Sequence, residues 1–187
     1  MQPKLPSAER LPRPRGVIVW ITGLSGAGKT TVATRLCAEL IGRGFDAEVL
    51  DGDVVRRHIS RGLDFSRESR EENIRRIGFV AGLLTRHGVI AIVSAISPYR
   101  AGRDEVRAAS GEQFFEVYMS TPLSVCEQRD PKGLYRRARA GELCQFTGID
   151  DPYEAPLAPE VSCSAESDTV DETVESVLRA LLPRLAR

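Results

Sequence analysis

The stretch "VIVWITGLSGAGKTTVATRLCAELIG" (17–42) holds three successive patterns that decide the fold. Residues 17–22 are almost continuously apolar rather than alternating, which marks a strand covered on both faces, as in parallel sheets. From Lys29 the period changes. Val32, Leu36 and Leu40 recur at helical intervals with Ala33, Cys37 and Ile41 beside them, and Gly42 and Gly44 supply a stop. The residues between strand and helix are mostly glycine and other small side chains.

Within that loop Gly23, Gly28, Lys29 and Thr30 fit G-x-x-x-x-G-K-[ST] without a gap, and a strand before and a helix after are the context a P-loop needs. Side chains are scarce because backbone N–H groups must themselves reach phosphate oxygens, and Cβ atoms would block the approach. The nucleotide-binding candidates are therefore Gly23, Leu24, Ser25, Gly26, Ala27, Gly28, Lys29, Thr30 and Thr31. Lys29 reaches the β- and γ-phosphates of ATP, and the Thr30 hydroxyl is placed for Mg²⁺. The helix N-terminus adds partial positive charge.

The alternation continues outward. "AEVLD" (47–51), "VIAIVSA" (89–95), "FFEVYM" (114–119) and a weaker "VSCS" (161–164) read as strands. "REENIRRIGFVAGLLTRHG" (70–88) reads as a long helix, and an amphipathic helix carrying Val170, Val174, Val177, Leu178, Leu181 and Leu182 closes the chain. Strands separated by helices mean an α/β fold, a three-layer sandwich around a central parallel sheet of the P-loop NTPase type. Residues 130–159 lose the apolar period and gain Arg, Gly and Pro, so they read as a lid. The proline-rich first 15 residues read as a disordered arm, and residues 16–187 as one domain.

Bulk composition excludes several classes. The 187 residues hold 26 Lys plus Arg against 26 Asp plus Glu, so no overall basic field points to nucleic acid. The longest apolar runs fall far short of the roughly 20 residues a membrane-spanning helix needs. Cys37, Cys126, Cys144 and Cys163 form no CxxC pair and read as reduced thiols of a cytoplasmic protein.

"LDGDVVR" (50–56) ends the second strand, so Asp51 and Asp53 emerge at the carboxyl edge of the sheet beside the P-loop. A carboxylate there can accept a proton from a hydroxyl nucleophile or hold the water shell of a metal, while helix capping by Asp51 is the plainer alternative. Arg70 and Asn73 lie three apart, on one helix face. Glu71 with Arg75 and Glu72 with Arg76 have pairing distance along the helix, whereas Arg70 has Ile74 at i+4 and is expected to be free for an anion. Arg56 reads as equally free.

In this order, "GLSGAGKTT", "DGDVVR", "FSRESREENIRR", "ISPYRAGRD", "DPKGLYRRARAGE" and "FTGIDDPYEAP" resemble the adenylylsulfate kinases, from about Gly16 to the last helix. The resemblance implies phosphorylation of adenosine 5′-phosphosulfate (APS) on its ribose 3′-hydroxyl by Mg·ATP, giving PAPS and ADP. It implies Asp53 oriented on that hydroxyl and Asp51 supporting the magnesium shell. Arg56, Arg70, Asn73 and Ile96 resemble substrate contacts, and Phe65 and Phe146 resemble an aromatic pair that sandwiches the adenine of APS. Lys132 resembles a lid cation reaching the substrate anion, and Arg129 one that covers ATP. For Ser97 the resemblance carries two roles, a phosphoserine intermediate and a substrate contact, and both stay open here. A homodimer is the family habit, and APS must come from another protein such as ATP sulfurylase, since the chain contains no sulfurylase domain.

The chain departs from the family pattern at Val54, where asparagine is usual, at Cys144, where lysine is usual, and at "GLDFS" (62–66), where "DLGFS" is usual and Gly62 and Asp64 are exchanged in kind. These changes are expected to weaken APS binding without touching the ATP site. A P-loop kinase for another small hydroxyl acceptor, and a nucleotide-binding regulatory subunit associated with a sulfurylase, remain alternatives.

Overall fold

A computed structural model describes residues 16–186. The N-terminal arm, residues 1–15, lies outside the described residues. Five parallel strands form one sheet in the order β2-β3-β1-β4-β5: β1 Ile18–Gly23, β2 Ala47–Asp51, β3 Ile90–Ser94, β4 Phe114–Met119 and β5 Val161–Cys163. β1 is fully buried and pairs with β3 on one side and β4 on the other, so its continuous apolar run meets protein on both faces and both edges.

Alternate residues of β1 serve two cores. Val19 and Ile21 pack with Val32, Leu36 and Leu40 of α1 (Lys29–Gly42) and with Val174, Val177 and Leu181 of α7 (Val170–Leu185). Ile18 and Trp20 face the other way, toward Val55 of α2 (Gly52–His58), Ile74 and Ile77 of α3 (Arg67–Arg86) and Val106 of α4 (Arg100–Ser110). The result is the three-layer sandwich that the alternation implies. A 3₁₀ turn (Gly111–Gln113), α5 (Leu123–Arg129) and α6 (Leu134–Arg139) complete the elements.

α3 starts three residues before the expected Arg70, because Ser66 caps it by accepting from Ser69 N at 3.3 Å. On α3, Glu72 and Arg76 pair as expected, but Glu71 pairs with Arg67, and Arg75 turns to Glu72 and to Glu105 of α4. Thr169 and Glu172 form a reciprocal capping box that begins α7. α2 and α4 have no legible apolar stripe. Each buries few hydrophobic residues, and α4 buries Arg103 in addition.

The lid stretch is more ordered than its sequence suggests. It carries α6, and Tyr135 on that helix is buried and donates to the Ser25 carbonyl of the P-loop at 3.0 Å. Its far limb is bonded to the turn after β3 through Glu154 N to Pro98 O at 2.8 Å and Arg100 N to Glu154 Oε2 at 2.8 Å.

Candidate active site

β1, β2 and β3 all end at the same sheet edge, and the loops there enclose a cleft of about 430 Å³. β1 and β3 are neighbours, yet the helices that follow them, α1 and α4, pack on opposite faces of the sheet, and such switch points are where open α/β sheets bind ligands. The P-loop wraps one end. Gly23 has φ 147, and a Cβ there would lie 2.6 Å from the Met119 carbonyl oxygen, so the strand-to-loop exit requires glycine. Gly28, at φ 96, caps α1 and presents the helix N-terminus to the cleft. Ser25, Gly26, Gly28, Lys29, Thr30 and Thr31 line the cavity. Gly23, Leu24 and Ala27 do not, and hold the loop from behind.

Lys29 is only 8% exposed, and its Nζ donates to Leu24 O at 2.7 Å. Burial lowers its pKa to about 8, a loss only partly opposed by the thiol of Cys126 and the carboxylates of Asp53 and Asp51. An anionic ligand beside it would relieve that desolvation.

Asp51 caps the following helix, the plainer alternative, and uses only one of its oxygens to do so. Oδ1 caps α2 by accepting from Asp53 N at 3.0 Å and Val54 N at 3.2 Å, while Oδ2 accepts from Thr30 Oγ1 at 3.0 Å. One hydroxyl and one carboxylate oxygen thus meet at the mouth of the P-loop. That donor set fits Mg²⁺, which is usually held by one or two carboxylates with waters and substrate phosphates making up the rest. Asp53 is exposed and its carboxylate pairs with Lys132 of the lid. Both partners are more than half exposed, so the pair contributes about 0–1 kcal/mol and is easily exchanged.

The opposite wall carries Arg56, Phe65, Arg70 and Asn73. Phe65 is 62% exposed, and the Arg56 guanidinium lies 4.4 Å from its ring centroid. The expectation that both arginines are free does not hold. Arg56 donates to the Leu63 and Asp64 carbonyls, and burial, then neighbouring Arg70, lower its pKa. Arg70 donates to Phe65 O at 2.7 Å, to Thr147 Oγ1 and to Gln145 O. One partner is the carbonyl five residues upstream and the others come from the lid, and the i, i+4 spacing of the helix reveals neither. The Asn73 Oδ1 is buried without a partner among the described residues, an arrangement that costs about 1–3 kcal/mol until a donor arrives.

Phe146 does not join Phe65 at the cleft. It packs edge-on against Tyr135 at 5.1 Å and leans on the α1/α7 core, because the lid folds inward at that point. Ser97 touches the cleft at φ 42 but is only 2% exposed. Its Oγ accepts from Trp20 Nε1 at 3.0 Å and donates to Thr22 Oγ1 at 3.0 Å. Thr22 in turn donates to Ile96 O at 2.8 Å and lies 2.9 Å from the Tyr153 hydroxyl. No imidazole or amine enters that chain of hydroxyls, so the arrangement supplies no base for a nucleophilic serine. Ile96, Arg129 and Lys132 line the cleft as expected, with Arg129 also donating to Ala165 O at 2.6 Å. Val54 and Cys144 are exposed and lie off the cleft lining, so their departure from the family pattern has no direct contact with the acceptor wall.

The comparisons with known proteins agree with this geometry. The family model described as adenylylsulphate kinase matches residues 15–164. The adenylyl-sulfate kinase of Microcystis aeruginosa is 62% identical over 167 residues, covering 89% of this chain and 92% of that protein. The adenylyl-sulfate kinase of Chloroflexus aurantiacus is 57% identical over 166 residues, covering 89% of each. The solved structure of the Mycobacterium tuberculosis APS kinase CysC in complex with AMPPNP and APS superimposes with a TM-score of 0.86 at 46% identity, over 90% of this chain and 99% of that one. P-loop, twin aspartates, arginine-lined wall and sequence relatives all point the same way, and the chain belongs to the adenylylsulphate kinase family.

Proposed function

We propose that the protein transfers the γ-phosphoryl group of ATP directly to the ribose 3′-hydroxyl of APS, giving PAPS and ADP. The observation that carries this reading is one cleft holding Lys29 and Asp53 at the P-loop end and Arg56, Phe65, Arg70 and Asn73 opposite. Lys29 and the loop amides neutralise the β- and γ-phosphates. Asp53, freed from Lys132, accepts the 3′-hydroxyl proton as that oxygen attacks phosphorus in line. Lys132 then has the substrate anion to pair with. The guanidinium pair offers charge to the phosphosulfate, and the open face of Phe65 offers a platform to a base. Thr30 and Asp51 would hold Mg²⁺, which when bound supplies charge neutralisation at the phosphates. Ser97 serves as a fixed wall in this scheme, with no covalent intermediate.

Mixing the protein with Mg·ATP and APS should release ADP, with a 3′-phosphate on the product, and omission of APS or its replacement by adenosine should release none. ADP release without APS, or none with it, would overturn the assignment. APS itself would come from a separate sulfurylase. A homodimer belongs to the same reading, supported by exposed Phe79 and Leu83 four residues apart on α3. Light scattering should return twice the chain mass, and a monomer would remove that element.

A further inference from the structure

Beneath the cleft lies a buried arginine that belongs to the "ISPYRAGRD" segment, which by itself implies no role for it. Arg103 of α4 is 1% exposed. Its Nε donates to Glu116 Oε1 on β4 at 2.9 Å, one terminal nitrogen to Ser97 O at 2.6 Å and the other to Glu154 O at 2.6 Å. A buried guanidinium needs a carboxylate to offset its desolvation, and Glu116 meets that need by itself. The two carbonyls serve another purpose. One belongs to the turn that brings Ile96, Ser97 and Pro98 to the cleft, and the other to the far limb of the lid. Ser97 occupies a left-handed conformation unfavourable for a residue with a Cβ, so surrounding bonds must hold it there.

We propose that Arg103 is a positioning residue: its planar fork fixes the Ser97 turn to the far limb of the lid, so acceptor geometry depends on a side chain that touches no ligand. The inference rests on the reading of this cleft as the acceptor site.

Arg103→Lys keeps a cation for Glu116, but an ammonium cannot span both carbonyls. It is expected to raise the KM for APS by about tenfold or more, as two charge-assisted bonds are lost, and to leave the KM for ATP unchanged. Arg107→Gln is the control. Arg107 binds the same Glu116, at 3.0 Å, and Glu160, but neither the turn nor the limb. It should cost stability and move neither KM. Hydrogen exchange at the Glu154 amide, which donates to Pro98 O, should accelerate in Arg103→Lys and not in Arg107→Gln. Should Arg103→Lys not fold, the double variant Arg103→Met/Glu116→Gln removes both buried charges together and takes the same readouts. Equal KM shifts in the two arginine variants, or unchanged Glu154 exchange, would overturn the proposal. A wild-type protein inactive on APS would instead overturn the functional reading, and the exchange comparison would still decide the role of Arg103.

Discussion

Replacing Lys29 by methionine is expected to abolish turnover and, at pH 7, to make the protein more stable. Loss of the cation that neutralises the β- and γ-phosphates should lower kcat by about 10³-fold or more, the scale seen when a charge-stabilising group is removed from a phosphoryl or oxyanion site. The gain in stability follows from burial. Lys29 titrates near 8 in the folded chain against 10.5 for an ordinary lysine, a difference of about 3 kcal/mol at 1.36 kcal/mol per pH unit. Methionine has similar length and no charge to desolvate, and Leu24 O keeps a donor in Ala27 N at 3.2 Å. Urea unfolding should therefore show Lys29→Met more stable than wild type by about 1–3 kcal/mol, after some loss from imperfect packing.

The pH dependence of this gap has a fixed sign. Below pH 8 both folded and unfolded wild-type chains carry the Lys29 proton, and the full penalty applies. Between about 8 and 10.5 the unfolded chain keeps a proton that the folded chain has released, so wild-type stability rises with pH and the gap to the variant narrows. A variant less stable than wild type at pH 7, or a gap that widens across that window, would show that Lys29 is not held at an energetic cost.

Asp53→Asn is the second large effect. The amide keeps the shape of the carboxylate but cannot take a proton, so kcat should fall by about 10²–10⁴-fold. ATP affinity should be unchanged, because the P-loop contacts are intact. Folding stability should also be unchanged, since the ion pair with Lys132 is exposed. Single-turnover transfer at the wild-type rate would remove Asp53 as the base. Retention of turnover by Asp53→Asn together with its loss in Asp51→Asn would move that role to the neighbouring carboxylate.

The parts of the molecule legible in the sequence are those governed by local patterns. β2 and β4 run over the expected residues because Val49 and Leu50 in one, and Phe114, Phe115, Val117 and Tyr118 in the other, are short local groups of strand-favouring side chains, and the P-loop is a contiguous motif. The sequence presents Arg70 and Arg56 as free because their acceptors are mainly backbone carbonyls, which have no residue signature. The burial of Arg103 has no sequence signature for the opposite reason: arginine is rarely buried, and only the fold shows Glu116 and two carbonyls converging on it. α4 has no clear apolar stripe in its sequence, because a buried arginine stands where such a stripe would carry a leucine. Phe146 was placed by resemblance, yet Tyr135, with which it packs, comes from a lid helix whose apolar content is too small to register.

The strand order carries a consequence for biosynthesis. Of the five strands β1 is translated first, yet its neighbours come much later: Ile18 needs Ala91 on one edge and Phe114 on the other. Until β3 has been translated the "VIVWI" segment (17–21) has neither strand neighbour, and until β4 has been translated one edge stays open. Parallel pairing over such separations is slow, and an exposed β-branched run is prone to associate between chains. The nascent polypeptide thus passes through a long interval of aggregation risk, which makes slower translation, lower temperature or chaperone supply the natural means of raising its soluble yield.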